Sequence, residues 1–504
     1  MKKRSSINTR TLLIAAILVV VNIMAFSLYF RIDFTKDKRY TLSQATLDIL
    51  HDLKKPVTIT AYYTENSTPA VMNAREELKD ILTEYAARSG NKVVYNFVNP
   101  NKSDSLEKIA VKNGISPFPL QVREKDEMKT IKIYLGAIIK EGDKTDILPI
   151  IDPNHSLEFV ISNSIKKLSV DKKPVVALIQ GDKEASLADL PQLNEALSAM
   201  YNFQEYKLTD SVIPADFKTI AIVDPKDTIT PGQLKRLDEF VARGGRVLIA
   251  YSGIQGDLQT VSGKAISTGL ERWLDEKNIV IEPKFIIDAH CGSITVRERE
   301  GQFDFANNVP FPYLPLIRNF ANHPITKQLS QVLLPFTSDI KYTGDTNKVK
   351  YVPLAFTSDK TGLVTPPVTL DANHQWQPGE FPLSNVCVAA AFSGIDGNKD
   401  TRFVVIANSI FVTNGQGQQA QKQEQDNIDF FVNSIDWLTD DTGLIGLRSK
   451  EVKPVPLADV SDSKKLFLKY FNFLFPLLLV VFYGIFRFQM RRRTRNKRMA
   501  ETYE

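Results

Sequence analysis

The chain has 504 residues, with 63 Lys and Arg against 58 Asp and Glu and a net charge of +5. That length exceeds what one hydrophobic core holds and calls for two or three domains. Residues 1–30 carry +4 and residues 487–504 carry +5, so the stretch between them is −4; the pI near 8.8 belongs to the two ends, and a mildly acidic middle excludes a nucleic-acid protein, which needs a basic face.

In chain order, Thr11 to Phe30 is apolar except for Thr11, Asn22 and Ser27, and Lys2, Lys3, Arg4 and Arg10 precede it. A run of about 20 apolar residues matches the hydrocarbon thickness of a bilayer. Cationic flanks stay cytoplasmic, so residues 1–10 are expected inside and 11–30 to span. The rival is a cleaved signal peptide, with Ala25-Phe26-Ser27 as a small-x-small site. The apolar run continues to Phe30, which favours the span.

Arg39-Tyr40-Thr41-Leu42-Ser43 leads into a helix from Gln44 to Leu53, with Ser43 as its N-cap. Val57 to Tyr63 and Val93 to Val98 read as strands. Between them, Leu78, Ile81, Leu82 and Tyr85 follow the helical period across Asn73 to Ser89, and Gly90 ends the helix. A strand-helix-strand unit implies a parallel pair. Ser105 to Asn113 reads as a helix, then Leu120 to Arg123 and Thr130 to Lys140 as strands around a charged turn, Glu124 to Lys129. The layout of residues 31–155 resembles thioredoxin. It has no Cys-x-x-Cys, so dithiol exchange is excluded as its task.

Leu157 to Leu168 predicts an amphipathic helix linking two blocks, within a connecting stretch 156–173. From residue 174 to about 460, strands and helices alternate. Pro174 to Gln180, Phe203 to Leu208, Thr219 to Val223 and Arg246 to Tyr251 are the strands. Leu190 to Met200 and Pro231 to Ala242 are the helices, the second capped by Thr230 and closed by Gly244-Gly245. Apolar strands alternating with helices mean a doubly wound parallel sheet. Leu270 to Lys277 and Val280 to Ile287 are expected to continue it.

About residues 293–400 form a β-rich insertion, with strands at Leu333 to Phe336, Val352 to Phe356 and Val386 to Phe392. Phe403 to Phe411 follows as an apolar strand, Gly415 to Gln425 as a Gln-rich loop, and Asn427 to Leu438 as an amphipathic helix. Leu444 to Arg448 and Val452 to Leu457 lead to Leu466–Phe488, interrupted only by Lys469, Asn472, Pro476 and Arg487. This is a second span, and Pro476 is tolerated within it. Arg491, Arg492, Arg493, Arg495, Lys497 and Arg498 make residues 489–504 a cytoplasmic tail. Two spans with both ends inside leave the middle extracytoplasmic. Cys291 and Cys387 then lie where disulfides persist, but both adjoin apolar runs and are expected as buried free thiols.

Asp33-Phe34-Thr35, Arg39 to Ser43, Leu53-Lys54-Lys55-Pro56-Val57, Gly244-Gly245-Arg246-Val247-Leu248 and Asn433-Ser434-Ile435-Asp436-Trp437-Leu438 resemble the GldG family of gliding-motility-associated and related ABC-transporter auxiliary proteins. The likeness runs over nearly the whole chain, in order, inside the membrane bracketing. It implies an inner-membrane protein with a large extracytoplasmic part. It also implies an ABC permease and a cytoplasmic ATPase as partners, and a second block like a class I glutamine amidotransferase without its chemistry. Many relatives carry an acidic residue after the late strand, where this chain has Ala407-Asn408-Ser409.

An amidotransferase needs a Cys on a strand-to-helix elbow; Thr219 to Val223 ends in Asp224-Pro225 instead. Gly263-Lys264-Ala265 lacks the spacing of a phosphate loop, so ATP hydrolysis belongs to another chain. Gly415 to Ala420 formally fits a dinucleotide fingerprint, but its Gln-rich surroundings mark a solvated loop. His51, His155, His290, His323 and His374 have no metal spacing. Asp182, Glu184 and Asp224 fall at strand carboxyl ends, where α/β crevices bind ligands, and Asp288 and His290, beside Cys291, cluster after a strand. These five are the candidate ligand or partner residues, each with the plain alternative of a loop carboxylate or a satisfied histidine. The sequence thus predicts two α/β extracytoplasmic domains between two transmembrane helices. It predicts a non-enzymatic auxiliary subunit without a cofactor, contacting the lipid bilayer, a permease and an ATPase. The alternatives are a structural scaffold of a cell-envelope machine and an envelope hydrolase.

Overall fold

The computed structural model describes residues 41–449 apart from 66, 125–126, 152–155, 171, 199, 210, 301–302 and 418–419, together with Leu13, Ile17 and residues 462–500. The expected span at 11–30 therefore lies outside the described residues but for Leu13 and Ile17, as does the stretch Val452 to Leu457. The chain divides into two bodies, residues 1–451 and 452–504.

In the larger body, α1 (Gln44–His51) starts where the Ser43 hydroxyl accepts the Thr46 N–H at 3.2 Å. β1 (Val57–Tyr63), α2 (Pro69–Arg88) and β2 (Val93–Val98) form the expected parallel unit, with Val57 opposite Val93. After α3 (Asp104–Lys112) come the hairpin β3 (Phe118–Glu124) and β4 (Glu127–Ile133), then β5 (Leu135–Glu141) and β6 (Lys144–Leu148). The sheet runs β2-β1-β5-β6, and the β3–β4 ribbon stands outside it. The single strand expected over Thr130 to Lys140 is thus two. Tyr134 breaks it by trading ladder partners for Thr64: its N–H donates to Thr64 Oγ1 at 2.8 Å and its carbonyl accepts the Thr64 N–H at 3.1 Å. α4 (Leu157–Ser169), capped by Ser156, lays Ile161, Ile165 and Leu168 into the core of Val57, Ile59, Leu78 and Leu82.

The second sheet starts with β7 (Val175–Gln180), α5 (Pro191–Ser198), β8 (Asn202–Lys207), β9 (Thr219–Val223), α6 (Pro231–Ala242) and β10 (Arg246–Ala250). Gly245 is required after α6, since a Cβ there would sit 2.4 Å from the Phe240 ring. The chain then leaves the sheet through β11 (Ile254–Asp257), β12 (Ser262–Ala265), α7 (Leu270–Asp275), β13 (Ile279–Ile281), β14 (Phe285–Asp288), and the long ribbon β15 (Cys291–Glu300) and β16 (Phe303–Ile317). It continues through β17 (Asn319–Phe320), β18 (Val332–Leu333), β19 (Ile340–Tyr342), β20 (Lys350–Phe356), β21 (Thr361–Val364) and β22 (Val368–Thr369), and returns in β23 (Cys387–Ser393), β24 (Arg402–Ile406) and α8 (Gln425–Thr439).

The eight-stranded order is β17-β20-β23-β24-β10-β9-β7-β8. It is parallel from β8 to β24 and antiparallel beyond. Strand residues of alternating orientation supply two cores. Leu178, Ala221 and Leu248 face α5 and α8 through Leu193, Leu197, Phe431 and Ile435. Ile179, Ile220 and Val247 face Leu237, Phe240 and Trp273. Each such fully buried large side chain contributes roughly 1.5–3 kcal/mol.

Two expected strands change course. Val280 to Ile287 does not continue the sheet. Pro283 has no N–H to give a ladder and splits the run into β13, paired with β19, and β14, paired with β21. Phe403 to Phe411 stops as β24 at Ile406; beyond it the Asn408 side chain accepts the N–H groups of Ile410 and Phe411. Leu444 to Arg448 lies in a 3-10 helix, Leu444–Ser449.

The smaller body is α9 (Asp462–Ala500). Its segment Lys469–Arg493 contains an 18-residue window with a mean hydropathy of 1.9 and is the one described helix long and apolar enough to cross a membrane. Within it, Leu478, Val480 and Phe482 expose 63%, 71% and 73% of their surface.

Candidate functional site

The carboxyl ends of the parallel strands are where a doubly wound sheet opens a crevice, at the point where successive connections leave in opposite directions. Here that point lies between β7 and β9, since β8 flanks β7 on the far side. The turn after β7 begins with Gly181 at φ +144°, a backbone conformation that favours glycine. Its missing side chain leaves room for the Gln233 amide, 3.4 Å from where a Cβ would be. That amide donates to Asp182 Oδ2 at 2.9 Å and to the Leu208 carbonyl at 3.1 Å. Gln233 also accepts the Thr230 N–H at 2.7 Å, so the cap of α6 fixes the loop of β7.

Asp182, Glu184 and Asp224 come together as the sequence places them. The Asp182 carbonyl accepts the N–H groups of Lys226 and Asp227 at 3.0 and 2.9 Å, and Ala185 N–H reaches Val223 O at 2.9 Å, stitching the two loops. Glu184 Oε2 accepts the Asp182 N–H at 2.7 Å, while its Oε1 is buried without a partner. Asp224 closes β9 in a left-handed conformation, φ +55°, which Asp tolerates better than most residues. The residue is 5% exposed, and its carboxylate meets Lys226 Nζ at 3.2 Å. Burial pushes all three carboxyl groups above the usual carboxylate range; at Asp224 the Lys226 charge opposes it.

In front of Asp224 lies a pocket of about 150 Å³, walled by Lys226, Ile254, Phe336, Ser409 and Ile410. That is below the roughly 300 Å³ at which small-molecule sites begin. It suits a few waters or a single inserted side chain rather than a metabolite. Beside it, Asn408 is fully buried. Its Oδ1 accepts the N–H groups of Ile410 and Phe411 at 3.0 and 2.8 Å, and its amide donates to the Pro335 carbonyl. Sequence reasoning missed Lys226 and Gln233. The Thr230-x-x-Gln233 capping pattern is the signal that marks Gln233.

Asp288 and His290 lie apart from these, at the end of β14. Asp288 is 1% exposed and accepts from His290 N (2.7 Å), Ser358 N (2.8 Å), Ser358 Oγ (2.7 Å) and Thr361 Oγ1 (3.1 Å). A carboxylate so occupied ties β14 to the loop before β21 and has little capacity left for a ligand. His290 contributes its carbonyl to the Leu316 N–H at 3.0 Å. Cys291 and Cys387 are free thiols on β15 and β23. Burial pushes both thiols up, Cys387 to about 11, so neither offers a thiolate at neutral pH. No group of three or more His, Cys, Asp and Glu that could hold a metal occurs among the described residues.

A family model described as an ABC-type uncharacterized transport system matches residues 173–438, more than half of the chain. A domain of unknown function matches residues 36–140. An uncharacterized protein of Borreliella burgdorferi is 26% identical over 380 residues, covering 72% of this chain and 68% of that protein. Among solved structures, the mmIFT52 N-terminal domain is 14% identical, covering 53% of this chain and 97% of its own, at a TM-score of 0.37. A ThuA-like protein from Parabacteroides merdae is 11% identical, covering 57% and 94%, at a TM-score of 0.29. The match across β7 to α8 is the one that identifies: this chain belongs to the family of auxiliary components of ABC-type uncharacterized transport systems.

Proposed function

We propose that this protein is a non-enzymatic, membrane-anchored auxiliary subunit working with an ABC permease and a cytoplasmic ATPase, as its resemblance to the GldG family implies. Residues 11–30 and 466–488 are its spans, both termini are cytoplasmic, and the residues between form two extracytoplasmic domains, 31–155 and 174–460, joined by 156–173. The observation that carries the reading is α9, whose apolar side chains stand exposed along a membrane-length segment. Such a surface is covered by lipid or by other apolar helices, and it is joined to a transport-family body. The small pocket at Asp224 is the partner-reading site. Its volume fits one protein side chain, and a neutral hydrogen-bond donor meets Asp224 without adding a second cation beside Lys226, 3.2 Å away.

The engaged state of Asp288 and the protonated thiols support a role without covalent chemistry, against the hydrolase alternative. The test is affinity purification of the chain from its native membrane, with the permease and ATPase expected in the eluate. Asp224→Ala is expected to lower their recovery with the fold retained. A chain that elutes without a permease from several mild detergents overturns the reading.

A further inference from the structure

The four-stranded and eight-stranded layers meet through a small apolar cluster in which Phe159 of α4 packs with Leu444, Ile445 and Leu447. Beside this cluster opens a cleft of about 470 Å³. That volume falls within the range of small-molecule sites, about 300–1,000 Å³, and is three times that of the Asp224 pocket. One wall is a single face of α4, because Asn163, Lys166 and Lys167 are three and four residues apart; Lys173 follows it. The other wall comes from Met200, Tyr201 and the end of α8.

Charge decides what fits. The acids in this wall are already engaged. Asp436 Oδ1 accepts the Tyr201 hydroxyl at 2.8 Å. Asp440 accepts from Thr442 N (3.0 Å), Thr442 Oγ1 (2.8 Å) and Gly443 N (3.1 Å) on Oδ1 and from Ile445 N (2.9 Å) on Oδ2. Asp441 is held by Arg246, and by Lys218 at 3.1 Å. Of the cations, Lys167 is paired with Asp146 at 2.6 Å, while Lys173 and Lys166 are less completely matched. Lys173 Nζ donates to the neutral carbonyl of Ser198 at 2.6 Å. Lys166 donates to the Thr442 hydroxyl at 3.2 Å, with Asp440 only at 3.8 Å. Asn163 lines the cleft with an amide that makes no hydrogen bond among the described residues. Phe159, Met200, Leu444 and Ile445 supply apolar floor next to these donors.

We propose that this cleft binds a small amphiphilic organic anion, its carboxylate or phosphate head held by Lys166, Lys173 and Asn163 and its apolar body laid against Met200 and Leu444. The site does not depend on the transport role. A bound molecule touches α4 and the 3-10 helix that starts at Leu444 at once, so it stiffens the joint between the two layers.

The experiment uses the full chain in nanodiscs of zwitterionic lipid, with empty discs as reference. Binding is read by fluorine NMR for three probes: 4-(trifluoromethyl)phenyl phosphate, 4-(trifluoromethyl)benzoate and neutral 4-(trifluoromethyl)benzyl alcohol. At least one anion is expected to bind, with the alcohol about tenfold weaker or worse, because a charge-assisted hydrogen bond is lost; the tighter anion assigns the head group. Lys166→Gln with Lys173→Gln is expected to weaken the anion about tenfold or more. Met200→Trp, which fills the cleft, is expected to abolish binding, and amide exchange should slow in α4 and residues 440–445 on adding the anion. Equal binding of the alcohol, unaltered affinity in both variants, or no binding at millimolar probe overturns the proposal.

Discussion

At the scale of single residues, two buried side chains define what the sheet's carboxyl edge will tolerate. Asn408 fixes two backbone N–H groups and one carbonyl where the resemblance leads one to expect an acid. Asn408→Ala leaves these three groups unpaired at about 1–3 kcal/mol each, so urea unfolding should show a loss of roughly 3 kcal/mol or more. Asn408→Asp keeps the acceptor but turns a second oxygen toward the Pro335 carbonyl. Its folded-state pKa is then raised, so its stability should recover toward low pH, as protonation restores a donor, and fall as pH rises. Glu184 behaves similarly in the native chain. Burial raises its pKa, with backbone N–H bonds opposing. A raised carboxyl contributes stability that is present below its unfolded value, about 4.3, and lost as pH climbs through the folded one. Glu184→Gln keeps an acceptor for the Asp182 N–H without the charge. Its Tm should therefore exceed that of the native chain at pH 7, by on the order of 1 °C for a body this large, and the gap should close near pH 4. A constant gap across that window would show that Glu184 is not the titrating group.

At the scale of elements, what the sequence showed and what it hid divide by how local the determining contacts are. The parallel core was legible because β7, β9 and β10 are continuous apolar runs punctuated by Gly181, Asp224 and Gly244-Gly245, and because Thr230 caps α6 through its own neighbour, Gln233. Breaks set by distant partners were not legible. Nothing near Tyr134 announces that Thr64, seventy positions away, will take its N–H. Pro283 was visible, but its consequence depends on β21 and β19 arriving as partners. Among the candidate residues, the placement of Asp182, Glu184 and Asp224 just after β7 and β9 was legible. The cleft residues were not, because Lys166 and Asp440 meet only across the seam between the two layers. The same distinction predicts local stability. The β3–β4 ribbon belongs to no larger sheet, with Phe118 and Met128 exposed, and a two-stranded hairpin is marginal alone. Its amides are expected to exchange with deuterium at least about a hundredfold faster than those of β9 and β10, which open only with the whole body. Equal protection would mean that another chain covers the ribbon.

At the scale of the whole molecule, water and charge decide. α9 joins an apolar segment to a cationic end: Arg487, Arg491, Arg495 and Arg498 recur at helical spacing, and no acid interrupts them before Glu501. Moving such a charge through hydrocarbon costs about 2.5–3.5 kcal/mol per residue even on insertion scales, so in the proposed topology several arginines together hold that end on the side where the chain was made. The N-terminal run 11–30 is likewise preceded by four cations; under the topology proposed above both ends lie in the cytoplasm and residues such as Asn163 and Gln331 beyond it. Alkaline phosphatase fused after Asn163 or Gln331 should be active and a fluorescent protein there dark, with the reverse after Ala500. Replacing Arg491, Arg492, Arg493 and Arg495 by Gln should produce a mixed population at the C-terminal fusion, because the remaining cations no longer outweigh Lys464, Lys465 and Lys469 at the opposite end of the helix. A fluorescent protein that glows after Gln331 would place the large body with the ATPase and remove the topological basis of the auxiliary-subunit reading.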